Sequence, residues 1–379
     1  MKYYIIAGEA SGDLHGSNLM LALQKKDPQA VIRCWGGDLM VAAGGTLVKH
    51  YRELAFMGFA EVIKNLPAIL NNFKLCRTDI TDFKPDVLIL IDYPGFNLRM
   101  AQWAKKQGLK VIYYISPQVW AWKENRVKTI KACVDKMLVI LPFEKSFYEK
   151  WHYEVEYVGH PLVKVVDDFQ QQQLPPLSEW KGKKIIALLP GSRQQEIRIK
   201  LPLMLSVCSL FPDYQFVIAK APGLDDSFYA EWISTLPNVT TVSNQTYLLL
   251  SHASAALVTS GTATLETALF GVPQIICYKG NPLSYAIAKR IIHIKYIGLA
   301  NLIMDKEVVK ELIQHELTSN NLRLELTKIL SDENHRNKIA GDYNKLKDML
   351  KEGGDASLHA ANSIWQLISS SMPAKENTK

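Results

Sequence analysis

The stretch Lys184–Glu196, KIIALLPGSRQQE, decides the fold of this chain. Its apolar residues, Ile185 to Leu189, run without interruption and then meet Pro190 and Gly191. This pattern predicts a buried parallel strand that reaches its C-terminal end. A polar segment that can open a helix follows. Strand, tight turn and helix in this order predict an open α/β sheet, in which ligands bind just beyond the carboxyl ends of the strands.

The residues that follow this strand suit an anionic group. Gly191 lets a backbone approach a ligand closely. Ser192 offers a hydroxyl and an amide at a helix N-terminus, Arg193 offers a fixed cation, and Glu196 lies one turn further on. Such groups favour a phosphate or diphosphate. The alternative is an ordinary turn with a surface arginine.

Length and composition indicate a two-domain enzyme with an anionic partner. A chain of 379 residues exceeds one typical core. The 44 Lys and Arg against 37 Asp and Glu give a net charge of +7. This surplus fits a nucleotide, a phosphorylated substrate or an acidic membrane surface. No basic motif is interleaved with aromatic residues, so nucleic acid is not a predicted partner.

The cysteines and the apolar runs indicate a cytoplasmic protein. The five cysteines are scattered without a CxxC pair, which argues for reduced thiols and against a zinc site. The N-terminal MKYYIIAGEASGD has too short an apolar run for a signal peptide and is typical of a first strand. No stretch approaches the ~18 apolar residues that a membrane span needs.

Two successive βαβ-rich halves are predicted, each doubly wound. The predicted domains are residues 1–165, a Gln- and Pro-containing linker at 166–183, a second domain at 184–350, and a C-terminal helix and tail at 351–379 that packs back on the first domain or on a partner subunit. The predicted strands are Tyr3–Ala7, Val31–Trp35, Val87–Ile91, Val111–Ile115, Met137–Leu141, Glu154–Val158, Gln215–Ile218, Val239–Val242, Ala256–Val258 and Gln274–Cys277, besides the one that starts at Lys184.

The first strand leads into the loop Gly8–Asp13, GEASGD, with a helix expected from about Leu14 to Lys25. The loop is neither GxGxxG nor a Walker loop, so it predicts no dinucleotide and no ATP. Asp13 could cap the helix that follows.

Asp92 follows the apolar strand Val87–Ile91 and precedes Tyr93 and Pro94. A carboxylate at the carboxyl end of a buried strand lies where catalytic groups occur in such sheets. Partial desolvation there would raise its pKa and improve it as a base. The alternative is a helix cap or a structural hydrogen bond.

Two further stretches of the first half remain open. Residues 58–76 predict an amphipathic helix that either faces the core or presents an apolar surface to lipid. Trp120 and Trp122 precede a row of cations that could line a pocket for an amphiphilic anion or form a solvated helix face. The cations considered for an acceptor phosphate are Lys123, Arg126 and Lys128.

In the second half, a strand ends at Val258 and a helix begins after Ser260, Gly261 and Thr262. Free amides and hydroxyls at this helix N-terminus favour a diphosphate. Glu266, one turn into the helix, can accept hydrogen bonds from a ribose diol, or else form a surface salt bridge. Asn301 and the segment Glu311–Gln314, expected on and around a short helix, cannot be assigned by pattern alone.

Nine motifs in register resemble those of the lipid-A-disaccharide synthases, which have the glycosyltransferase B architecture of two Rossmann-like domains facing a central cleft. Single motifs such as GHP are weak, but the set covers nearly the whole chain in order. They are GEASGD (8–13), LAFMGFAEV (54–62), IDYPGFN (91–97), SPQVWAW (116–122), LPFEKSFY (141–148), GHP (159–161), LLPGSR (188–193), SGTATLE (260–266) and NLI (301–303).

The resemblance implies an inverting transfer of 2,3-diacylglucosamine from its UDP derivative to 2,3-diacylglucosamine 1-phosphate, with no metal and no cofactor. The implied product is a β-1,6-linked disaccharide 1-phosphate of lipopolysaccharide assembly. It also implies a peripheral protein on the cytoplasmic face of the inner membrane, and a homodimer. The family pattern carries an aspartate where this chain has Gly95. Two other hypotheses are a transferase for another UDP-amino sugar with a lipid-linked acceptor, and an inactive nucleotide-sugar-binding or membrane-scaffold protein.

The resemblance also assigns roles. Asp92 would be the general base for the acceptor hydroxyl, while Arg193 and the helix N-terminus at Ser260–Thr262 would meet the charge on UDP. Further residues complete each side. Glu9, Ser11 and Asp13 would line the first domain; Glu266, Asn301 and Gln314 would complete the donor site; and Val62, Ile63, Leu66, Ile69 and Leu70 would enter the bilayer or hold acyl chains.

Overall fold

The computed structural model of the chain describes residues 1–54, 66–172, 182–233, 236–292 and 294–370. The chain forms two units, each with its own parallel sheet. The first unit comprises Met1–Pro161 and Lys351–Lys379, and the second comprises Leu162–Leu350. The C-terminal segment thus belongs to the same unit as the N-terminus.

The first unit contains a seven-stranded parallel sheet of order β3-β2-β1-β4-β5-β6-β7. The strand order reverses between β1 and β4, and this switch point is where open α/β sheets bind ligands. The strands are β1 (Lys2–Ala7), β2 (Val31–Gly36), β3 (Thr46–His50), β4 (Val87–Ile91), β5 (Lys110–Tyr114), β6 (Lys136–Val139) and β7 (Glu156–Tyr157).

Helices cover both faces of this sheet, because successive side chains of its buried strands point to opposite sides. Tyr4, Leu88 and Tyr113 pack into one cluster with the helix residues Phe73 and Ile130. The helices of the first unit are α1 (Ala10–Lys26), α2 (Asp38–Ala42), α3 (Leu66–Phe83), α4 (Pro94–Lys106), α5 (Val119–Trp122), α6 (Arg126–Cys133), α7 (Pro142–Glu149) and the C-terminal α17 (Ala356–Ser369), which packs against α1.

The second unit contains a six-stranded parallel sheet of order β10-β9-β8-β11-β12-β13. Its strand order reverses between β8 and β11, so its switch point lies at the ends of those two strands. The strands are β8 (Lys184–Leu189), β9 (Tyr214–Lys220), β10 (Val239–Ser243), β11 (Ala253–Thr259), β12 (Gln274–Tyr278) and β13 (Glu311–Ile313).

Alternate residues of β8 pack into separate clusters on the two faces of the second sheet, with Ile186 and Leu188 on one side and Ile185 and Ala187 on the other. The helices of this part of the chain are α8 (Pro161–Gln170), α9 (Gln194–Leu205), α10 (Asp226–Ile233), α11 (Thr246–His252), α12 (Thr262–Leu269), α13 (Pro282–Ile291), α14 (Leu299–Met304), α15 (Ser319–Ser331) and α16 (Glu333–Lys351).

The predicted fold class, α/β with two doubly wound Rossmann-like halves, is confirmed. Several local predictions were wrong. Helix α1 begins at Ala10 rather than Leu14, so most of GEASGD is helical. Helix α8 occupies the first part of the predicted linker, because Leu162, Val166 and Phe169 repeat at helical spacing. The segment Glu311–Gln314 is a short strand followed by a 3-10 turn.

The structure adds two strands that the sequence pattern did not predict. β3 is half-buried at a sheet edge, and β13 has three residues, so neither shows an apolar run. Within the part of the chain that the structure describes, no helix combines the length and apolar character that crossing a bilayer requires.

Candidate functional site

The switch point of the first unit brings Glu9 and Asp92 together. Ala7 of β1 pairs with Ile91 of β4, so the chain leaves both strands at the same edge of the sheet. Glu9 is the residue before α1, and Asp92 is the residue after β4. Both residues are half-buried. Two carboxylates from distant parts of the sequence therefore lie at one site in this unit.

Asp92 and Tyr93 both have left-handed backbone conformations, with φ values of 44° and 49°. Such conformations cost of order 1–3 kcal/mol each outside glycine and persist only where the surroundings hold them. Here Asn97 Nδ2 donates to the carbonyl oxygen of Asp92 at 2.8 Å, and the Tyr113 hydroxyl donates to the same oxygen at 2.5 Å. The backbone at the end of β4 is thus fixed by side chains from α4 and β5.

Gly8 makes room for this turn. A Cβ atom at Gly8 would lie 2.3 Å from the ring of Tyr93, a distance that no side chain could accept. Gly95, by contrast, has open space around the position of a Cβ atom and lies in the first turn of α4. The first glycine is therefore required by packing, and the second is not.

The environment of Asp92 raises the pKa of its carboxyl group to about 7, mainly through desolvation and then through the nearby Glu9 carboxylate. A hydrogen bond from the Tyr93 backbone opposes this rise. A carboxyl group with a pKa near neutrality can accept a proton from a substrate hydroxyl more readily than an ordinary aspartate. This pair has the properties of a general base and a neighbour that tunes it.

Asp13 has a structural role. Its buried carboxylate accepts hydrogen bonds from the backbone amides of Gly37 at 2.7 Å, Leu39 at 3.1 Å and Met40 at 3.0 Å. These bonds cap α2, not the helix that follows GEASGD, and they argue against the predicted direct contact with substrate. Ser11, half-buried in the first turn of α1, stays a predicted contact.

The three cations that follow the two tryptophans do not all lie at one place. Lys123 Nζ lies 4.1 Å from the centre of the Trp122 ring and the Arg126 guanidinium 5.5 Å from it. Desolvation raises the pKa of Tyr113, the residue that holds the Asp92 turn, and the charge of Arg126 lies close enough to oppose this rise. Lys128 lies two residues beyond Arg126 on α6 and so faces elsewhere. Lys123 and Arg126 are the better phosphate candidates.

In the second unit, the stretch Lys184–Glu196 forms β8, a turn and the first residues of α9. Gly191 has a φ of 123°, a backbone conformation that favours glycine, and a Cβ atom there would lie 2.9 Å from Glu196 Oε2. Ser192 and Arg193 are exposed at the start of α9. Arg193 Nη1 donates to Glu196 Oε1 at 3.2 Å. The residues that are predicted to bind a phosphate, Ser192 and Arg193, thus lie at a helix N-terminus.

The predicted second diphosphate turn lies at the end of β11, next to β8 in the sheet. Gly261, with a φ of 141°, precedes α12, and Gly261 and Thr262 are exposed. Ser260 Oγ donates to the carbonyl oxygen of Ile297 at 3.1 Å. Two helix N-termini therefore converge on the switch point of this unit, an arrangement that favours an anionic ligand.

Glu266 lies on α12 and accepts a hydrogen bond from the Tyr247 hydroxyl at 2.7 Å. Burial raises the pKa of Glu266, while this hydrogen bond lowers it. The carboxylate has no salt-bridge partner within the described residues, so the surface salt bridge considered as an alternative is not formed there.

Asn301 and Gln314 differ in whether their side-chain amides have hydrogen-bonding groups left for a ligand. Asn301 is fully buried, and its amide uses both hydrogens and both lone pairs on Val308, Val309 and Glu311. This argues against its predicted contact with a donor. Gln314 is buried with a φ of 53°, and its Nε2 has no hydrogen-bond partner among the described residues. A buried, unpaired amide donor supports the prediction for Gln314.

The predicted apolar patch lies partly outside the described residues, which exclude Val62, Ile63 and the side chain of Leu66. Ile69 packs against the core of the first unit. Leu70 is 58% exposed beside a groove of about 350 Å³ lined by Leu70, Phe73, Lys74, Arg77, Thr78 and Arg99. One face of α3 is thus core, as the alternative reading expected, and another is an exposed apolar and cationic surface.

Sequence reasoning missed two residues that shape the Asp92 turn and one that joins the turns of the second unit. Asn97 lies in the motif IDYPGFN, and Tyr113 lies in a largely apolar strand, where a tyrosine is typical of the core and does not indicate a role at the site. Lys200 is 3% exposed on α9 and bonds to Glu196 and Thr259. A lysine at a core-facing helix position was its one available signal.

Comparison with solved structures defines the class of fold. S. aureus MnaA, in a co-structure with UDP, aligns with a TM-score of 0.69, 12% identity and coverage of 97% of each chain. A UDP-GlcNAc 2-epimerase from Neisseria meningitidis bound to UDP-GlcNAc gives 0.64 and 14%, covering 97% of this chain and 100% of that one. CalG4, the calicheamicin glycosyltransferase, gives 0.60 and 17%, with 98% and 99% coverage. The fold is that of the two-domain UDP-sugar epimerases and glycosyltransferases.

Comparison of sequences is more specific. The family model for lipid-A-disaccharide synthetase matches residues 3–364. A lipid-A-disaccharide synthase of Trichlorobacter lovleyi is 38% identical over 98% of both chains, and lipid-A-disaccharide synthase 1 of Legionella pneumophila is 37% identical over 99% of this chain and 98% of its own. The chain belongs to the lipid-A-disaccharide synthase family of glycosyltransferases.

Proposed function

We propose that this chain transfers 2,3-diacylglucosamine from its UDP derivative to the 6-hydroxyl of 2,3-diacylglucosamine 1-phosphate, with Asp92 as the general base. Family membership supports the reaction, which forms the lipid A disaccharide of lipopolysaccharide. The observation that carries the role of Asp92 is its carboxyl group beside Glu9, with a pKa raised to about 7.

In this proposal the chemistry is a single displacement. The acceptor oxygen attacks the anomeric carbon of the donor, the bond from that carbon to the diphosphate oxygen breaks, and Asp92 takes the hydroxyl proton. Inversion follows because attack and departure occur on opposite faces of one carbon. Glu9 acts through Asp92, since its negative charge favours the protonated form of its neighbour and so strengthens Asp92 as a base.

The second unit supplies the leaving-group side of the proposal. UDP gains negative charge as it leaves, and preorganised donors and cations stabilise such charge most effectively. Arg193, the amides at the start of α9 and the turn Ser260–Thr262 provide these groups at one switch point. Glu266 is proposed to accept the ribose hydroxyls. The unpaired amide of Gln314 supports a further contact with the donor sugar.

The acceptor and its surroundings are assigned to the first unit. Lys123 and Arg126 are the proposed phosphate ligands, because both cations lie against the Trp122 ring. Arg126 also lies near enough to Tyr113, which donates to the Asp92 carbonyl oxygen, to affect its pKa. The groove beside Leu70 combines three cations with an exposed apolar side chain, which supports peripheral binding to an anionic membrane. The cytoplasmic face of the inner membrane and the homodimer rest on the family resemblance alone.

The test is turnover with the two acylated substrates, measured together with UDP affinity. Asp92→Asn is expected to remove nearly all turnover, since general-base catalysis contributes roughly 10²–10⁴-fold, while UDP affinity stays at the wild-type value. Arg193→Ala is expected to weaken UDP binding by about 1.5–3 kcal/mol, the range for a hydrogen bond to a charged group.

Two outcomes would refute these roles. Unchanged turnover in Asp92→Asn removes Asp92 as the base, and unchanged UDP affinity in Arg193→Ala removes Arg193 from the donor site. UDP release with another acceptor, but none with 2,3-diacylglucosamine 1-phosphate, would favour a related transferase. The matched control is Lys338→Met, an exposed position on α16 that is expected to change neither measurement.

A further inference from the structure

Lys200 is a buried cation that connects the two anion-facing turns of the second unit. It lies on α9, and its side chain is 4% exposed. Its ammonium group donates to Glu196 Oε2 at 3.4 Å and also donates to Thr259 Oγ1. Glu196 belongs to the first turn of α9, and Thr259 is the last residue of β11, directly before Ser260.

Glu196 is shared between two cations. Its Oε1 accepts from Arg193 Nη1 at 3.2 Å, and its Oε2 accepts from Lys200. The same Oε2 lies 2.9 Å from the position of a Cβ atom at Gly191, so the carboxylate is closely packed under the phosphate turn. Arg193 is 47% exposed, whereas Lys200 is almost fully enclosed. One partner of Glu196 can move into solvent or to a ligand, and the other cannot.

We propose that Lys200 is a positioning residue that keeps Glu196 neutralised and joined to the end of β11 when Arg193 turns from Glu196 to the diphosphate of UDP. The inference rests on the proposed role of Arg193 and deepens it. A solvent-exposed ion pair such as Arg193–Glu196 contributes little, so a dianionic ligand can displace it. Glu196 then keeps one cation, and its charge does not oppose the ligand.

The buried surroundings of Lys200 disfavour its positive charge, so the presence of a lysine at this position calls for an explanation. Desolvation lowers the pKa of Lys200, and Glu196 partly restores it. Replacing both members of a buried ion pair by well-packed apolar side chains is often neutral or stabilising for folding, whereas removing one member alone leaves its partner's charge uncompensated. The Lys200–Glu196 pair is therefore better explained by the charge that Lys200 supplies to Glu196 and by its hydrogen bond to Thr259 than by stability.

The experiment compares UDP affinity, by calorimetry, in Lys200→Met, Glu196→Gln and the double variant. Lys200→Met is expected to weaken UDP binding about tenfold or more, because Glu196 then holds Arg193 and repels the diphosphate. Adding Glu196→Gln is expected to restore the UDP affinity to within about threefold of the wild-type value, since a neutral amide neither holds Arg193 by charge nor repels the diphosphate. Lys338→Met is the matched control, and the double variant, which removes both charges of the pair, is expected to melt near the wild-type temperature.

Three results overturn the inference. The first is unchanged UDP affinity in Lys200→Met while Arg193→Ala weakens UDP binding. This result overturns the role of Lys200 and leaves the proposed function intact. Equal weakening in Lys200→Met and in the double variant shows a purely structural effect. Unchanged affinity in Arg193→Ala removes both the inference and the proposed role of Arg193. If Lys200→Met does not fold, Thr259→Val with and without Glu196→Gln makes the same comparison, because it removes the second anchor of Lys200.

Discussion

At the scale of single residues, the site depends on side chains that change one another's charge. Burial and the Glu9 carboxylate raise the pKa of Asp92 to about 7, and this raised pKa supports its proposed role as the base. The same shift affects stability. Between the ordinary aspartate pKa and about 7, the folded state holds more protons than the unfolded state, so the free energy of unfolding falls as pH rises through this window. The site gains a usable base at the expense of stability near neutral pH.

The pH dependence of turnover tests the pair directly. With Asp92 as the base, kcat/KM is expected to rise with pH and level off above an apparent pKa near 7. Glu9→Gln removes the neighbouring negative charge, so the rise is expected to move to lower pH. Glu149→Gln, an exposed position at the end of α7, is the control and is expected to leave the profile in place. An unshifted profile in Glu9→Gln would separate Glu9 from the ionisation of Asp92.

At the scale of elements, the ends of the strands could be predicted from sequence and the links between them could not. An apolar run followed by Pro-Gly or by a small-residue turn located the ends of β4, β8 and β11, because a buried strand must be apolar. The hydrogen bonds of Asp13 and Asn301 could not be predicted, because their partners lie in and beside α2 and β13, two short elements that the sequence pattern did not predict. The same limit hid Lys200, whose partner Thr259 is 59 positions away in sequence.

The helix α3 also shows why an amphipathic pattern alone leaves two readings. Phe73 and Cys76 are buried in the core of the first unit, whereas Leu70 is exposed. Arg77 and Arg99 lie 5.9 Å and 5.7 Å from the centre of the Phe73 ring, at the edge of the groove beside Leu70. Both interpretations of the amphipathic pattern therefore apply to different faces of α3: one face packs in the core, and another is available to an anionic surface.

Binding to lipid vesicles tests the exposed face. Leu70→Ser with Lys74→Gln is expected to weaken sedimentation with vesicles that contain anionic phospholipid, by about 1 kcal/mol for the charge and more for the leucine. Leu75→Ser, at a second exposed leucine of the same helix, is the control, since it lies outside the groove. Equal binding by both variants would exclude this face, and loss of binding to uncharged vesicles as well would assign the effect to apolar contact alone.

At the scale of the whole molecule, both units repeat one strand order and place their proposed groups at the corresponding switch point. The chain leaves the first unit at Pro161 and returns to it at Lys351. In the first unit Gly353 lies so close to Gly159 that a Cβ atom on Gly353 would be 2.2 Å from the Gly159 backbone. The C-terminal helix α17 then packs against α1, the helix that begins beside Glu9. The helix α17 therefore packs in the unit that holds the proposed base.

This connectivity predicts an effect confined to one unit. Ile364 is fully buried on α17, so Ile364→Ala is expected to destabilise the first unit by about 2–5 kcal/mol through the cavity that it leaves. Hydrogen exchange is expected to rise in β1 and α1 but not in β8 and β11, and UDP affinity is expected to stay unchanged. Gln366→Ala, at an exposed position of the same helix, is the control. Faster exchange in β8 and β11 as well would mean that the two units unfold as one, because local openings follow cooperative units.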